Sequence, residues 1–177
     1  MPTHLFLARQ TILRFAGVVL LGLSITLSFA GKVLSQDPSY AYGSIDLEEL
    51  YSGYPDFRDR ASKRAVDSSA AALLGSIKEP VRIKTYMATW CPDSKKHVPA
   101  MANLLEAAGN PNIRQELIGV DYDKHAPDSS AVEHQVTFVP TFIFYHKGRE
   151  IGRIVETPEG TLESNTLSIL KEANLIR

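Results

Sequence analysis

One strand, one cysteine and one helix follow each other directly in this chain, and they constrain its fold more than any other feature. A β-prone run over residues 81–87 predicts a strand, and a helix is predicted over residues 92–108. Between them lies Cys91, the single cysteine of the 177 residues. Because Pro92 suits the first position of a helix, Cys91 is predicted to be the helix N-cap. The segment therefore predicts an α/β fold with a cysteine where a strand turns into a helix.

The other predicted elements alternate between helices and strands. A short helix is expected after Ser44, which would cap it, and periodic apolar residues predict a longer helix over 56–77. Helices between the early strands favour parallel pairing, and the Lys147-Gly148 turn favours an antiparallel hairpin. The architecture expected is a mixed central sheet of about four strands, flanked by helices on both faces, with an N-terminal helical extension. The later elements predicted are a strand over 113–120, a short helix over 129–135, strands over 141–145 and 150–155, and a last helix opened by residues 157–159.

The N-terminus resembles an export signal. Two arginines precede an almost uninterrupted apolar run over residues 15–30, a pattern typical of secretory signals. The run is shorter than the roughly 20 residues that a spanning helix needs, and an uncleaved membrane anchor stays an alternative. We therefore expect residues 1–30 to be a signal peptide or membrane anchor and residues 31–55 to be a linker with a short helix. Residues 56–177 would be the folded domain, located outside the cytoplasm in the periplasm or cell envelope.

Composition and charge exclude several classes of function. The formal net charge of −1 provides no basic field for nucleic acid, and one cysteine excludes an internal disulfide framework. Four histidines match no local spacing of metal ligands, and the acidic loop over 121–128 lacks the spacing and glycine of a calcium loop. We expect no metal site and no cofactor, and we expect the loop over 121–128 to be solvated. His97 is expected to lie on the surface. The four histidines, of the five in the chain, are His97, His125, His134 and His146.

The residues around Cys91 resemble the active-site motif of the thioredoxin family. Thr89-Trp90-Cys91-Pro92-Asp93-Ser94-Lys95 stands where that family has Trp-Cys-Gly-Pro-Cys-Lys after a strand. The resemblance covers about residues 80–176 and implies a thioredoxin fold, with protein disulfides or small thiols as reaction partners. Within the family, the sequence looks like the exported thioredoxin-like proteins of bacterial envelopes. Four further matches are the helix proline Pro99, the cis-proline loop Val139-Pro140-Thr141, the turn glycine Gly148 and the strand glycine Gly152.

Two positions depart from the family pattern. Ser94 replaces the second cysteine of the motif, and Thr85 replaces the buried acid that many thioredoxins place six residues before the first cysteine. The resemblance implies that this acid helps to deprotonate the second cysteine, so the loss of both together is chemically coherent. An ordinary dithiol reductase cycle is therefore not expected.

The predicted chemistry centres on the Cys91 thiolate, which the positive end of the helix dipole favours and the carboxylate of Asp93 opposes. A thiolate attacks a disulfide to form a mixed disulfide, and a serine cannot then expel the substrate. We expect Cys91 to be the nucleophile, Ser94 to hydrogen-bond its sulfur, and an external thiol to resolve the mixed disulfide. Such chemistry suits isomerisation or thiol exchange, an oxidoreductase-type activity without a resolving cysteine.

The substrate is expected to bind beside the cysteine. A cis bond before Pro140 would present the backbone of Val139 to an extended peptide, which could hydrogen-bond to it like a neighbouring strand. Trp90 and Pro92 would complete the surface on which the substrate binds.

Two other interpretations stay open at this stage. The fold could be a catalytically degenerate scaffold that binds extended peptides near Val139-Pro140 without covalent chemistry. Alternatively, Cys91 could be a redox sensor that oxidises to sulfenic acid or cross-links two chains.

Overall fold

The computed structural model describes residues 40–177, in which five strands form one mixed sheet. The strands are β1 Gly43–Ile45, β2 Val81–Met87, β3 Ile113–Gly119, β4 Thr141–His146 and β5 Arg149–Val155. The helices are α1 Leu47–Gly53, α2 Pro55–Lys63, α3 Ser68–Gly75, α4 Pro92–Ala108, α5 Ser130–Glu133 and α6 Leu162–Glu172. Across the sheet the strand order is β1-β3-β2-β4-β5.

The pairing of the strands confirms the predicted mixed sheet. Strand β2 runs parallel to β3 through the crossover helix α4, and antiparallel to β4 on its other side. Strands β4 and β5 form the predicted antiparallel hairpin, with Gly148 at a positive φ of 78° in its turn. Cys91 therefore lies at the end of a central strand, where β2 turns into α4.

Alternating side chains of the strands separate two apolar cores. In β4, Phe142 and Phe144 belong to the larger core, which lies on the face that α3, α4 and α6 cover. Ile143 points the other way into a smaller core, which contains Ala131 from α5. The period-two alternation of a strand explains this division. The smaller core also contains Cys91, so the thiol lies on the face with less helical cover.

Within the segment predicted as a linker with a short helix over 31–55, the short helix is present as α1, but residues 43–45 form strand β1, so the sheet has five strands instead of about four. Residues Gly43–Ile45 pair antiparallel with Leu117–Gly119 at the edge of the sheet. Gly119 allows this close approach, because a Cβ there would lie 3.1 Å from the Cβ of Ala41 and closer still to its carbonyl group. The N-terminal part of the described chain is therefore an integral strand of the sheet.

The helix predicted over 56–77 is wrong as a single element. It is divided into α2 and α3, because Arg64 adopts an extended conformation with φ −98° and ψ 122°. Asp67 then starts a new helix, since its carboxylate accepts hydrogen bonds from the amides of Ser69 and Ala70. An aspartate that caps in this way competes with continuation of the preceding helix.

Two further helix starts differ from the sequence prediction. Asp46, not Ser44, caps α1, because its Oδ1 accepts a hydrogen bond of 2.7 Å from the amide of Glu49. The last helix begins at Leu162 instead of residues 157–159, with Thr161 and Ser164 forming a reciprocal capping box. The predicted signal or anchor over 1–30 lies outside the described residues. Within residues 40–177 no helix has the length and hydropathy needed to cross a membrane.

Candidate functional site

Cys91 is the N-cap residue of α4, as predicted. Its backbone is extended, with φ −83° and ψ 125°, and its carbonyl accepts the first helical hydrogen bond from the amide of Lys95 at 3.1 Å. The Cys91 amide in turn donates to the carbonyl of Ala88 at 3.1 Å, which closes the turn after β2. The cysteine is free and only 6% exposed. The thiol therefore lies at the positive end of a 17-residue helix, in a tightly turned segment.

The thiol contacts the loop that contains the cis proline. The peptide bond between Val139 and Pro140 is cis, as predicted. The Sγ of Cys91 donates a hydrogen bond of 3.1 Å to the carbonyl of Val139. That bond needs the thiol proton and is therefore lost when Cys91 ionises. The predicted nucleophile and the predicted substrate-binding backbone are thus in direct contact.

Ser94 is fully buried, and its recorded partner is not the thiol. Its Oγ accepts a hydrogen bond of 3.2 Å from the amide of Ala88. Among residues 40–177 no hydrogen bond joins Ser94 to the sulfur of Cys91, which the sequence interpretation had expected. Ser94 therefore holds the end of β2 against the first turn of α4 and positions the segment that carries the cysteine.

Beneath the site, Thr85 is completely buried where many thioredoxins have an acid, and Gln115 donates a hydrogen bond of 3.0 Å to its hydroxyl. This position is therefore uncharged, and the Thr85 hydroxyl has a hydrogen-bond partner.

Lys95, in the first turn of α4, forms an ion pair of 2.8 Å with Asp56 of α2, which lowers the pKa of the Asp56 carboxyl. Its charge is thereby directed towards α2.

Trp90 forms an aromatic stack that the sequence interpretation missed. Its ring lies 4.9 Å from that of Tyr122 with an interplanar angle of 15°, and the Nζ of Lys124 lies 5.8 Å from its centroid. The ring of Tyr40 contacts Tyr122 edge-on at 5.5 Å. The indole Nε1 is buried and has no hydrogen-bond acceptor in the described part of the chain. The residue before Cys91 is therefore held by a packed aromatic neighbour.

The loop that carries Tyr122 is largely exposed to solvent, as predicted, and it is also a structured turn. Asp121 Oδ1 accepts hydrogen bonds from the amides of Asp123 at 2.9 Å and His125 at 2.8 Å. The carbonyl of Tyr122 accepts a further bond of 2.8 Å from Lys124 Nζ. One signal could have located it: the carboxyl ends of parallel strands β2 and β3 share one edge of the sheet, so residues after each strand meet there.

The N-terminal segment is fixed to the same edge. The amide of Ala41 donates a hydrogen bond of 3.2 Å to the hydroxyl of Thr89, in the motif itself. This bond and the pairing of β1 with β3 bring Tyr40 and Tyr42 to the cysteine end of the sheet. Sequence reasoning could not place these tyrosines, because they lie in the segment taken for a linker.

The other predicted binding residues take different positions around the thiol. Val139 is buried at 4% exposure, and Trp90 is half-buried in contact with the same small core. Pro92 is exposed at the first position of α4. Phe138, which the sequence interpretation did not select, is 53% exposed directly before Val139. The most accessible apolar side chain of the cis-proline loop is therefore Phe138.

His97 corrects another prediction, since it is buried instead of lying on the surface. It is 3% exposed, and both ring nitrogens lack partners within residues 40–177. Burial, with a smaller contribution from Lys96, lowers the pKa of His97. In the same part of the chain, no group of three or more His, Cys, Asp or Glu side chains is arranged to hold a metal ion.

Comparison with known proteins gives a consistent result. The family model described as Thioredoxin matches residues 56–167. The chain is 31% identical over 87 residues to mitochondrial thioredoxin O of Oryza sativa subsp. japonica, covering 49% of this chain and 48% of the relative. It is 32% identical over 89 residues to thioredoxin of Mycolicibacterium smegmatis, covering 50% of this chain and 75% of that protein. The chain thus matches about half the length of the rice relative.

Solved structures resemble the chain over a larger part of its length. A Pseudomonas aeruginosa protein of unknown function has a TM-score of 0.48 and 19% identity, covering 72% of this chain and 76% of its own. Mitochondrial thioredoxin 3 of Saccharomyces cerevisiae has a TM-score of 0.40 and 23% identity, covering 64% of this chain and 98% of its own.

Proposed function

Because the chain belongs to the thioredoxin family, we propose that it is a monothiol thiol–disulfide exchange protein with Cys91 as its nucleophile. Family membership is consistent with thiol–disulfide redox function in general. The observation that carries the finer proposal is the contact between the Cys91 sulfur and the Val139 carbonyl at 3.1 Å, next to a cis proline. This contact puts the only cysteine of the chain beside a backbone that a peptide strand could pair with.

The first chemical step forms a mixed disulfide. Cys91 loses its thiol proton to solvent, and its thiolate attacks one sulfur of a substrate disulfide. The bond between Cys91 and that sulfur forms as the substrate S–S bond breaks, and the other substrate sulfur leaves as a thiolate that takes up a proton. The attacking sulfur belongs to the N-cap residue of α4, at the positive end of the helix dipole.

A second thiol completes the cycle. The substrate's own freed thiolate, or a small external thiol, attacks the mixed disulfide and releases Cys91 as a thiolate. Ser94 cannot take this role, because a hydroxyl does not form a disulfide and its oxygen is bonded to the Ala88 amide. No net oxidation or reduction of the protein results, so isomerisation or thiol exchange is the activity that this site supports best.

The place of action is proposed to be extracytoplasmic. The support is the sequence pattern of residues 1–30, a signal peptide or a membrane anchor that would tether the protein. Fractionation of cells that express the full chain tests this part of the proposal. Recovery in the periplasmic or envelope fraction is expected, and recovery only in the cytoplasm would contradict it.

The exchange reaction is tested by turnover of a small disulfide in the presence of excess small thiol. The protein should accelerate exchange, and Cys91→Ser should reduce the rate to the uncatalysed level, since no other cysteine is present. A matched control is Ser168→Ala, an exposed change on α6 that leaves Cys91 in place and should retain full activity. Equal turnover by the Cys91→Ser variant would overturn the proposal.

A peptide-binding scaffold is the second candidate, and one observation favours it. Cys91 is only 6% exposed, and its proton is engaged by Val139. A scaffold would capture extended peptides near Val139-Pro140 equally well with Cys91→Ser, whereas exchange predicts that covalent capture ends with this substitution.

A further inference from the structure

We propose that Tyr122 determines the specificity of the Cys91 site and favours disulfides whose cysteine has an aromatic neighbour in the substrate sequence. This inference rests on the proposed function, because it assumes that Cys91 attacks a disulfide. It adds a substrate class to that function: polypeptides with an aromatic side chain beside the reacting cysteine.

The stack on Trp90 is the first observation that carries this inference. The ring separation of 4.9 Å and the angle of 15° lie within the offset-stacked geometry that aromatic pairs prefer. Tyr122 is nevertheless 57% exposed, so much of its ring remains open to solvent. The stack thus has one covered partner and one open partner, directly beside the reactive residue.

The second observation is that Tyr122 is held in place before any substrate arrives. Tyr40 packs edge-on against it at 5.5 Å, and Asp121 bonds two amides of its own loop. A preformed ring costs a ligand little ordering entropy, which is how preorganisation increases affinity. Tyr122 is therefore suited to select a partner, in contrast to a freely rotating surface tyrosine.

The third observation is that an exposed ring adjoins each of the two segments that meet at the thiol. Trp90, which precedes Cys91, stacks on Tyr122, and the Cys91 sulfur donates a hydrogen bond to the carbonyl of Val139. Phe138, directly before Val139, is 53% exposed. An extended segment that pairs with the Val139 backbone would carry its residues past both rings. An aromatic residue next to the substrate cysteine would then pack on Tyr122.

The charge beside the stack is compatible with such a ring. The Nζ of Lys124 lies 5.8 Å from the Trp90 centroid and donates to the Tyr122 carbonyl, so its ammonium group already contacts both residues of the stack. A neutral aromatic side chain carries no net charge that Lys124 or the flanking carboxylates of Asp121 and Asp123 would repel. We therefore expect recognition by packing, with little dependence on salt.

The test compares two peptides that differ at one residue. Each carries a single cysteine in disulfide linkage to a small uncharged thiol, with tyrosine in one peptide and alanine in the other as the neighbouring residue. The measured quantity is the ratio of their second-order rates of mixed-disulfide formation with Cys91. Because an aromatic pair adds about 0.5–1.5 kcal/mol beyond area burial, the tyrosine peptide should react roughly 2- to 13-fold faster with the natural protein.

Three variants make the test specific. Tyr122→Phe should keep the ratio, whereas Tyr122→Ala and Tyr122→Leu should bring it close to one. The control is Leu73→Ala, since Leu73 is 38% exposed on α3, a helix that packs into the larger core and not into the smaller core that contains Cys91. It should keep the ratio of the natural protein. Tyr122 is exposed, so its variants are expected to fold, and the ratio is independent of any common change in rate.

The outcomes separate this inference from the function on which it rests. Equal rates for both peptides with the natural protein, or an unchanged ratio with Tyr122→Ala, would overturn the role of Tyr122 and leave exchange by Cys91 intact. A lack of reaction with either peptide and with a small disulfide would overturn the proposed function, and this inference with it.

Discussion

The thiol of Cys91 donates a hydrogen bond of 3.1 Å to the carbonyl of Val139, across 48 residues of sequence. This bond joins the N-cap of α4 to the cis-proline loop. Cys91 is only 6% exposed there. Since the bond needs the thiol proton, ionisation of Cys91 breaks it and frees the Val139 carbonyl. In the proposed function, reaction at the sulfur and access to the Val139 backbone are therefore coupled.

Substitution of Ser94 by cysteine should create a dithiol site. Ser94→Cys places a second sulfur in the turn where thioredoxins carry one, and oxidation should give an internal disulfide with Cys91. The mass of the intact oxidised protein should fall by two hydrogens, and a chemical reductant should restore it. A folded variant that stays a free dithiol under oxidation would contradict the geometry inferred for this turn.

Removal of the Ser94 hydroxyl should destabilise the fold. Ser94→Ala leaves the Ala88 amide without its recorded acceptor in a fully buried position, which costs about 1–3 kcal/mol. Chemical denaturation measures this loss in the free energy of unfolding. Ser168→Ala is the control, because the Ser168 hydroxyl bonds only an exposed glutamate among the described residues and its loss should cost little. Equal effects of the two substitutions would contradict a structural role for Ser94.

The stability of the protein should depend on pH through His97. Its pKa is lowered by burial and then by Lys96, so the folded state stays neutral where an unfolded histidine, with a pKa of about 6.5, becomes charged. The stabilisation is complete above that value and is lost as pH falls towards the lowered folded pKa. The free energy of unfolding should therefore decrease as pH falls through about 6.5.

His97→Leu should remove that part of the pH dependence. It replaces two buried ring nitrogens that have no recorded partner in residues 40–177, so stability at neutral pH should not fall by the amount typical of core changes. Val132→Ala is the control, because the Val132 side chain is 59% exposed and carries no titratable group, so it should leave the profile unchanged. An unaltered profile in His97→Leu would contradict the assignment.

The fit of β1 against β3 should depend on Gly119. An added Cβ would meet the carbonyl carbon of Ala41 at 2.6 Å, so Gly119→Ala should displace the segment that carries Tyr40 and cost about 1–3 kcal/mol. Gly53→Ala is the matched control, since no atom lies within 4 Å of its added Cβ. Thermal or chemical unfolding compares the two. Comparable stability of both variants would be inconsistent with the packing of β1.

The turn held by Asp121 should control the environment of Trp90. Asp121→Ala removes the acceptor of two amide hydrogen bonds and should loosen Tyr122 from the indole. As Trp90 is the only tryptophan of the chain, its fluorescence should shift to longer wavelength and become easier to quench. Asp123→Ala, which removes an exposed carboxylate with no recorded side-chain partner in the described region, should leave the emission unchanged. An unaltered spectrum in Asp121→Ala would argue against the stack.

The elements that the sequence predicted well are those with strong local signals. Strand β2, the N-cap at Cys91 and helix α4 follow from a β-prone run, a proline and apolar periodicity, and the cis bond before Pro140 follows from the thioredoxin resemblance. Strand β1 has only three residues, and its strand character depends on pairing with β3. A single sequence carries little sign of such long-range pairing.

The details of the site depended on tertiary contacts that periodicity does not encode. Tyr122 is exposed and follows a strand, which is typical of a loop residue. Its stack on Trp90 depends on the parallel pairing of β2 with β3, which brings together the residues that follow each strand. Ser94 could bond either the sulfur or a backbone amide, and the closeness of Ala88 decides between them. His97 was predicted to lie on the surface, but the helices that pack around α4 bury it.

The most direct test of the central claim is an intact-mass measurement of the reduced protein after incubation with an excess of a peptide disulfide and no added thiol. The proposed function predicts one covalent adduct per chain, located on Cys91 and removed by a small thiol. An unmodified protein whose cysteine reacts with the same disulfide only after unfolding would contradict it, because the thiol at the N-cap of α4 would then be buried and inert.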